Sequence, residues 1–456
     1  MEATTNLTPD IKVRQMHQAD ARGCKISGAS TAAVDAFERA LAAAQSWRSG
    51  ADAELAAALH EAPGFVMAHV LKAYLHVCSR DPARVQLARP LHRRAVALSA
   101  NERERMHLAA IGAALDDDYE TSLSLLGDVL HRYPRDVLAL QVAHVFDYMG
   151  GDVARLSQRV AEVLPAWSRD LPGYHAVLAM HAFGLEEAGD YERAEDEALA
   201  AIALNLGDAR AHHVMAHVFE MTERPDAGAR WMGERSGNWG HDTVVATHCW
   251  WHVGLFHLAQ GRLDAALAIY DHRIRAGNTK AIADLIDASA LLWRIQLMGG
   301  DTGARWTELA AAWAPHVEDR FCSFNDMHAM LAFVGARDWD NATRLERTLA
   351  RSQSQPTRHG AVTRQVGLPA CRALIAFGRG DNTLALTLFA SLPALAHRIG
   401  GSHAQRDVLN LTMLETIKRL RRPVRRLARP ASSSTHPVLP IFTAPAQKST
   451  FRHLAG

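Results

Sequence analysis

Four segments of this chain repeat one unit, and a repeat of that kind restricts the fold more than any other feature of the sequence. They read HVFDYMGGD from His144, HAFGLEEAGDYERA from His181, HVFEMTERPDAGA from His217 and HVGLFHLAQGRLDAALAIY from His252. Each has an apolar helix with a His near its middle, then a Gly or Pro near an Asp, then a second Ala-rich helix. The four histidines stand 37, 36 and 35 residues apart, close to the period of about 34 residues typical of helix-turn-helix repeats. Small residues at Ala194, Ala227 and Ala265 would let the second helix lie close against the first, and Tyr270 supplies a bulky residue. Neither helix of a pair can hide its apolar face alone, so neighbouring hairpins must stack. The expected fold is all-α, a solenoid of stacked helical hairpins. A closed bundle or α/α toroid is the rival architecture. The near-constant interval favours the array, whose last helices can cap it or fold across its groove.

Weaker copies extend the pattern on both sides. Upstream, Pro63 opens a helix through Ala68 and Leu75, and Pro134 closes one spanning 119–131. Downstream, helices are predicted over 281–298, 302–313, 326–336 and 339–350; SQSQPTRHG at 352–360 breaks the alternation, which resumes over 361–377 and 382–392. Past Arg422, prolines at 423, 430, 437, 440 and 445 with Ser432, Ser433 and Ser434 exclude a packed helix. The expected organisation is an N-terminal extension at 1–26, a helical repeat domain at 27–421 and a basic, Pro/Ser-rich disordered tail at 422–456.

Past Glu415 come nine basic residues and no acid; without them the chain holds 41 basic against 49 acidic residues, which disfavours a general nucleic-acid binder. Met1 to Asp20 is too charged for a secretory signal, and no stretch is long and charge-free enough to cross a bilayer. Five dispersed cysteines without a CxxC pair fit reduced thiols and a cytoplasmic location.

From about Pro63 to Leu420 the sequence resembles the tetratricopeptide repeat protein 38 family. The resemblance rests on AHVFEM at Ala216, HCWWHVGLFHLAQG at His248 with Tyr270 and Asp271, FNDMHAMLA at Phe324, VGLPAC at Val366 and GGSHAQRDV at Gly400. It implies an α-helical repeat protein of tetratricopeptide type, and no mechanism.

The densest polar grouping is His213, His217 and Glu220, followed by His248 and His252. Residues three and four apart share a helix face, and both 213 to 248 and 217 to 252 are steps of 35, so the second pair is in register with the first. These side chains could line a ligand or acid/base pocket, or simply fill the helix interface. No metal or other cofactor is assigned, since zinc needs three or four converging ligands and HExxH is missing. Ser323 with Asp326 reads as a helix cap, leaving His328 as a pocket candidate. Ser402 with Gln405 reads as a capping box entered through Gly400 and Gly401, where Arg406 could hold an anion or tie to Asp407 or to a carboxylate on the preceding helix. Trp231, Trp239, Trp250 and Trp251 crowd the same region as core or as anchors.

Walker, GxSxG and GxGxxG motifs are missing from the sequence. The leading expectation is an interaction module whose concave groove, centred on 213–257, holds a protein or peptide. The alternative is an enzyme or small-molecule binder with a His/Glu-lined pocket, completed by Asp326, His328 and Arg406 from the C-terminal helices. No specific nucleic acid or membrane partner is expected.

Overall fold

The computed structural model describes residues 18–421. Turns of one recurring kind cut this chain into helices. A residue in the left-handed region ends one helix and an Asp caps the next: Asp117 (φ 63°) precedes Asp118, Gly151 (71°) precedes Asp152, Arg337 (56°) precedes Asp338 and Gly380 (82°) precedes Asp381. Each capping carboxylate accepts from the amide three residues on at 3.0 to 3.2 Å, satisfying a backbone donor that the helix itself cannot.

The helices pair in chain order. They are α1 (Thr31–Gln45) and α2 (Ala51–Glu61), α3 (Val66–Val77) and α4 (Pro82–Val96), α5 (Glu102–Leu115) and α6 (Tyr119–Arg132), α7 (Val137–Gly150) and α8 (Val153–Val163), and α9 (Tyr174–Glu187) and α10 (Tyr191–Leu204). There follow α11 (Ala209–Met221) and α12 (Pro225–Glu234), the short α13 (Ser236–Trp239), α14 (Ala246–Ala259) and α15 (Leu263–Ile269), α16 (Ile282–Leu297) and α17 (Arg305–Trp313), and α18 (Ser323–Ala336) and α19 (Trp339–Ser352). The short α20 (Arg358–Val362) leads through a π-helical turn into α21 (Leu368–Gly378), which pairs with α22 (Asn382–Phe389), and α23 (His403–Arg421) ends the array. Each hairpin packs on the next, so the chain is an all-α helical-repeat solenoid. Residues 18–26, within the expected N-terminal extension, form an antiparallel pair β1 (Gln18–Ala19) and β2 (Lys25–Ile26) docked on α5 by Arg103 Nη2 donating to Lys25 O. The proposed disordered tail at 422–456 lies outside the described residues.

Burial explains the two helix types. The first helix of a middle hairpin lies between neighbours on both sides: in α11 every residue from Ala209 to Phe219 is buried. The second helix faces outward and buries one stripe, as in α19 with Ala342, Leu345, Thr348, Leu349 and Ser352. Close approach of helices uses small residues. Ala194 is fully buried as expected, whereas Ala227 and Ala265 are only partly buried and the buried residues are their neighbours Gly228 and Ala266. A Cβ on Gly228 would come 2.6 Å from the Phe256 ring of α14 in the next hairpin. Side-chain hydrogen bonds tie successive repeats: His175 with Asp208 and His359 with Asp326 are each 33 residues apart.

The array winds tightly enough for its ends to meet. Asn325 Nδ2 donates to Arg80 O at 2.7 Å, Arg358 N to Asp117 Oδ2 at 3.0 Å and Arg358 Nη2 to Met149 O at 2.7 Å. Helix α23 then folds across the concave side. Tyr148 OH donates to Gln405 Oε1 at 2.6 Å, Trp293 Nε1 to Thr412 Oγ1 at 2.9 Å and Arg294 Nη2 to Ala404 O at 2.6 Å. Gly400 and Gly401 take φ of 75° and 87°, as the expected turn into α23 requires. No helix among the described residues is long and apolar enough to cross a membrane.

Candidate functional site

Stacking turns the 35-residue register into contact. His213 and His217 lie one turn apart on α11, His248 and His252 one turn apart on α14, and the two faces meet. Ring centroids are 4.9 Å apart for His213 and His248, and 4.5 Å for both His217 and His252 and His213 and His217. His213 Nε2 and His217 Nε2 share a hydrogen bond of 3.0 Å. Trp251 is fully buried and stacks on His248 at 5.1 Å with an interplanar angle of 11°.

Carboxylates surround the rings. His248 Nδ1 donates to Asp287 Oδ1 of α16 at 2.8 Å, and His252 Nδ1 to Glu220 Oε2 of α11 at 2.9 Å. His217 Nδ1 faces Glu186 Oε2 of α9 at 3.6 Å. Burial raises the Glu220 carboxyl to about 7, with His217 and Arg294 working against it. His213 and His252 are pushed well below the usual imidazole range by burial and then by the neighbouring rings. Burial also pulls on His217, but Glu186 outweighs it and raises that ring.

Beside the cluster lies a cavity of about 360 Å³. His213 and His248 form part of its wall, with His217 and His252 behind them. Other contributors come from far along the chain: Trp47, Arg80, Tyr148, Phe183, Arg210, Phe324 and Gln405. Arg80 lies over the Phe324 ring at 4.3 Å and the Tyr148 ring at 5.2 Å, and Arg210 over Trp47 at 4.5 Å. Arg80 Nη1 and Nη2 and Arg210 Nη2 are buried with no hydrogen-bond partner among the described residues. Burial brings Arg210 down to about 10 despite Asp208.

The C-terminal candidates are arranged differently from expectation. Asp326 does not cap α18: its carboxylate accepts from His359 Nε2 at 3.0 Å, deep in the core. Ser323 pairs with Thr363 Oγ1 at 3.1 Å instead of capping. His328 Nδ1 donates to Phe324 O at 2.7 Å, so it packs against the cavity-lining ring without reaching the cavity. Ser402 and Gln405 do form the predicted capping box, with bonds of 3.3 and 3.1 Å. Arg406 sits 3.5 Å from Glu187, not on Asp407, and donates to Gly401 O. Asp407 is raised by burial, with Arg294 opposing, and does not line the cavity. The C-terminal helices thus contribute Phe324 and Gln405 in place of Asp326, His328 and Arg406. Of the four clustered tryptophans none lines the cavity, and Trp47 does.

Asp287 and Glu186 escaped the sequence reading although a signal existed. Asp287 stands 35 residues past His252, and Glu186 stands 34 before Glu220, so both follow the repeat register. No protein-family model matches this chain.

Proposed function

We propose that the chain binds a small organic anion in the cavity beside the four-histidine cluster. The observation that carries this reading is the pair of cavity arginines with partnerless guanidinium N–H groups. A buried donor without an acceptor costs free energy, about 1–3 kcal/mol and more when charged, and a ligand carboxylate or phosphate would remove that cost. The cavity has the size of a small-molecule site, and its wall is mainly aromatic and aliphatic around a few polar groups. The ligand in this reading joins an anionic end at Arg80 and Arg210 to an apolar body against Tyr148, Phe183 and Phe324. His213 and His248 supply imidazole rings to the same wall.

An extended peptide groove has less support, because α23 and the contacts between residues 80–151 and 320–405 occupy the concave side. Assignment to the tetratricopeptide type and to the protein 38 family stays a proposal resting on sequence resemblance and period. A cytoplasmic location is proposed on the same footing, since all five cysteines are free thiols.

The test is a thermal-shift and calorimetric screen of the full chain against aromatic carboxylates and organic phosphate monoesters. At least one class is expected to raise the melting temperature by mass action. Arg80→Met keeps the stem and removes the charge. It should weaken that ligand about tenfold or more, the loss of one charged hydrogen bond, while leaving ligand-free stability within about 1 kcal/mol of wild type. A panel in which no anion stabilises the protein, or equal affinity in Arg80→Met, defeats the reading.

A further inference from the structure

We infer that His213, His217, His248 and His252 form a binding site for one divalent first-row transition-metal ion. This goes beyond the anion-binding reading and does not rest on it, because it stands on the four imidazoles and their carboxylate partners.

Each of the four rings offers one nitrogen, and these nitrogens all lie within 4.8 Å of one another. An ion about 2.0–2.1 Å from four nitrogens in a tetrahedron sets them about 3.3–3.4 Å apart. The His213 and His217 Nε2 atoms, at 3.0 Å, need only a small rotamer adjustment to reach that spacing.

Tautomers give the stronger argument. The Asp287 carboxylate accepts from His248 Nδ1, and His252 uses its Nδ1 on Glu220, so in both rings it is Nδ1 and not Nε2 that a carboxylate engages. The Nε2 atom of each ring is thereby left for another partner, and one nitrogen of each ring belongs to the cluster. His252 Nε2 is buried there with no partner among the described residues. His217 Nδ1 faces Glu186 Oε2 at 3.6 Å, outside hydrogen-bond reach, while its Nε2 meets His213 Nε2 inside the cluster. His213 Nδ1 is likewise buried without a partner, so this ring is free to move its proton there and present Nε2. Imidazoles engaged on their outer nitrogen by carboxylates are the arrangement by which proteins orient such ligands on a metal. Four imidazoles and no thiolate suit zinc, copper, nickel or iron, and suit calcium and magnesium poorly.

A neighbouring acidic group does not compete. Glu186, Glu187 and His217 also cluster, but Glu187 Oε1 accepts from His403 N at 3.0 Å and Oε2 lies 3.1 Å from His403 Nδ1. His217 is then the only ring in both groups, and the four-imidazole set retains the unpartnered His252 Nε2. Since His213 and His248 also line the cavity, an ion here is reached from the cavity side.

The experiment uses the full-length chain without an affinity tag, stripped with chelator and dialysed. Zn2+ is added in titration calorimetry, and Co2+ is added as an optical probe of nitrogen coordination. Wild type is expected to take one ion per chain, with visible Co2+ absorption bands. His248→Asn, at the cavity wall, and His252→Asn should each remove the bands, and Glu220→Gln should weaken Zn2+ binding about 10–100-fold. Circular dichroism of each variant confirms that it is folded. If His252→Asn fails to fold, the more exposed His248 position decides. No stoichiometric ion in folded wild type, or binding unchanged in folded His248→Asn, overturns the site. Either result leaves the anion screen unaffected, and a failed anion screen leaves this site standing.

Discussion

Asp136→Ala should cost this protein about 3–5 kcal/mol, the usual price of leaving a buried charge without its partner. Asp136 is 3% exposed, and three groups converge on it. Arg103 Nη1 donates to Oδ2 at 2.5 Å, His107 Nε2 donates to the same oxygen at 2.9 Å, and Ala139 N donates to Oδ1 at 2.9 Å as the cap of α7. Truncation therefore strands a guanidinium that is 3% exposed and opens a helix start together. Asp136→Asn keeps the shape and an acceptor but not the charge, and should fall between wild type and Asp136→Ala. The pH dependence has a definite sign. Burial alone would raise this carboxyl, but His107 and Arg103 outweigh it and hold the folded form well below the usual range. A depressed folded value means the unfolded chain binds the proton first. The stabilisation is complete above the unfolded value of about 3.9 and drains away as pH falls below it. Denaturant titrations of wild type and Asp136→Asn from pH 7 to pH 3 check this, since only wild type should carry that component of acid sensitivity. A ΔΔG under about 1 kcal/mol for Asp136→Ala would mean that the ion pair is solvated and the burial argument fails.

The parts of the site that the sequence makes legible are those a repeat turns into adjacency. Equal steps of 35 between His213 and His248 and between His217 and His252 become ring contacts because α11 and α14 are equivalent first helices of hairpins stacked one on the next. The capping box at Ser402 and Gln405 was legible for a different reason: it depends on neighbours three residues apart and on nothing distant. A similar local pattern misleads at Ser323 and Asp326. There burial of α18 on both sides and the arrival of His359 from the next repeat decide the partner.

What brings Trp47, Arg80 and Phe324 to one cavity is the winding of the whole array. Small rotations accumulate over many hairpins until residues more than two hundred apart, such as Arg80 and Asn325, share a hydrogen bond. No window of sequence contains that sum. The same winding favours a pocket over a long open groove, because α23 and the contacts between residues 80–151 and 320–405 cover part of the surface a groove would use. The cavity is therefore conditional on closure, and closure can be tested apart from the fold of any one repeat.

Gly151→Ala should release the C-terminal segment without unfolding the array. Gly151 has φ 71° and lies so close to the turn before α23 that an added Cβ would sit 1.9 Å from His397 O. Left-handed backbone costs an L-residue about 1–2 kcal/mol, and forcing a methyl group into a packed contact adds about 1–3 kcal/mol. Gly189 supplies the control: its φ is 85°, yet an added Cβ would meet nothing within 4 Å. Gly189→Ala therefore carries the backbone cost alone, and the difference between the two variants isolates the contact. Because stability in a solenoid is mostly local, the loss should appear as faster amide hydrogen exchange across residues 397–421, by about 30-fold or more, with α9 to α14 still protected. The undocked segment takes Gln405 with it, and Tyr148 loses the acceptor at 2.6 Å that helps to wall the cavity. Any anion found in the screen should then bind Gly151→Ala more weakly than Gly189→Ala. Equal exchange in the two variants would show that the Gly151 and His397 contact is not what holds the solenoid shut, and that the other contacts of α23, with Trp293 and Arg294 of α16, Tyr148 and Glu187, suffice to anchor it.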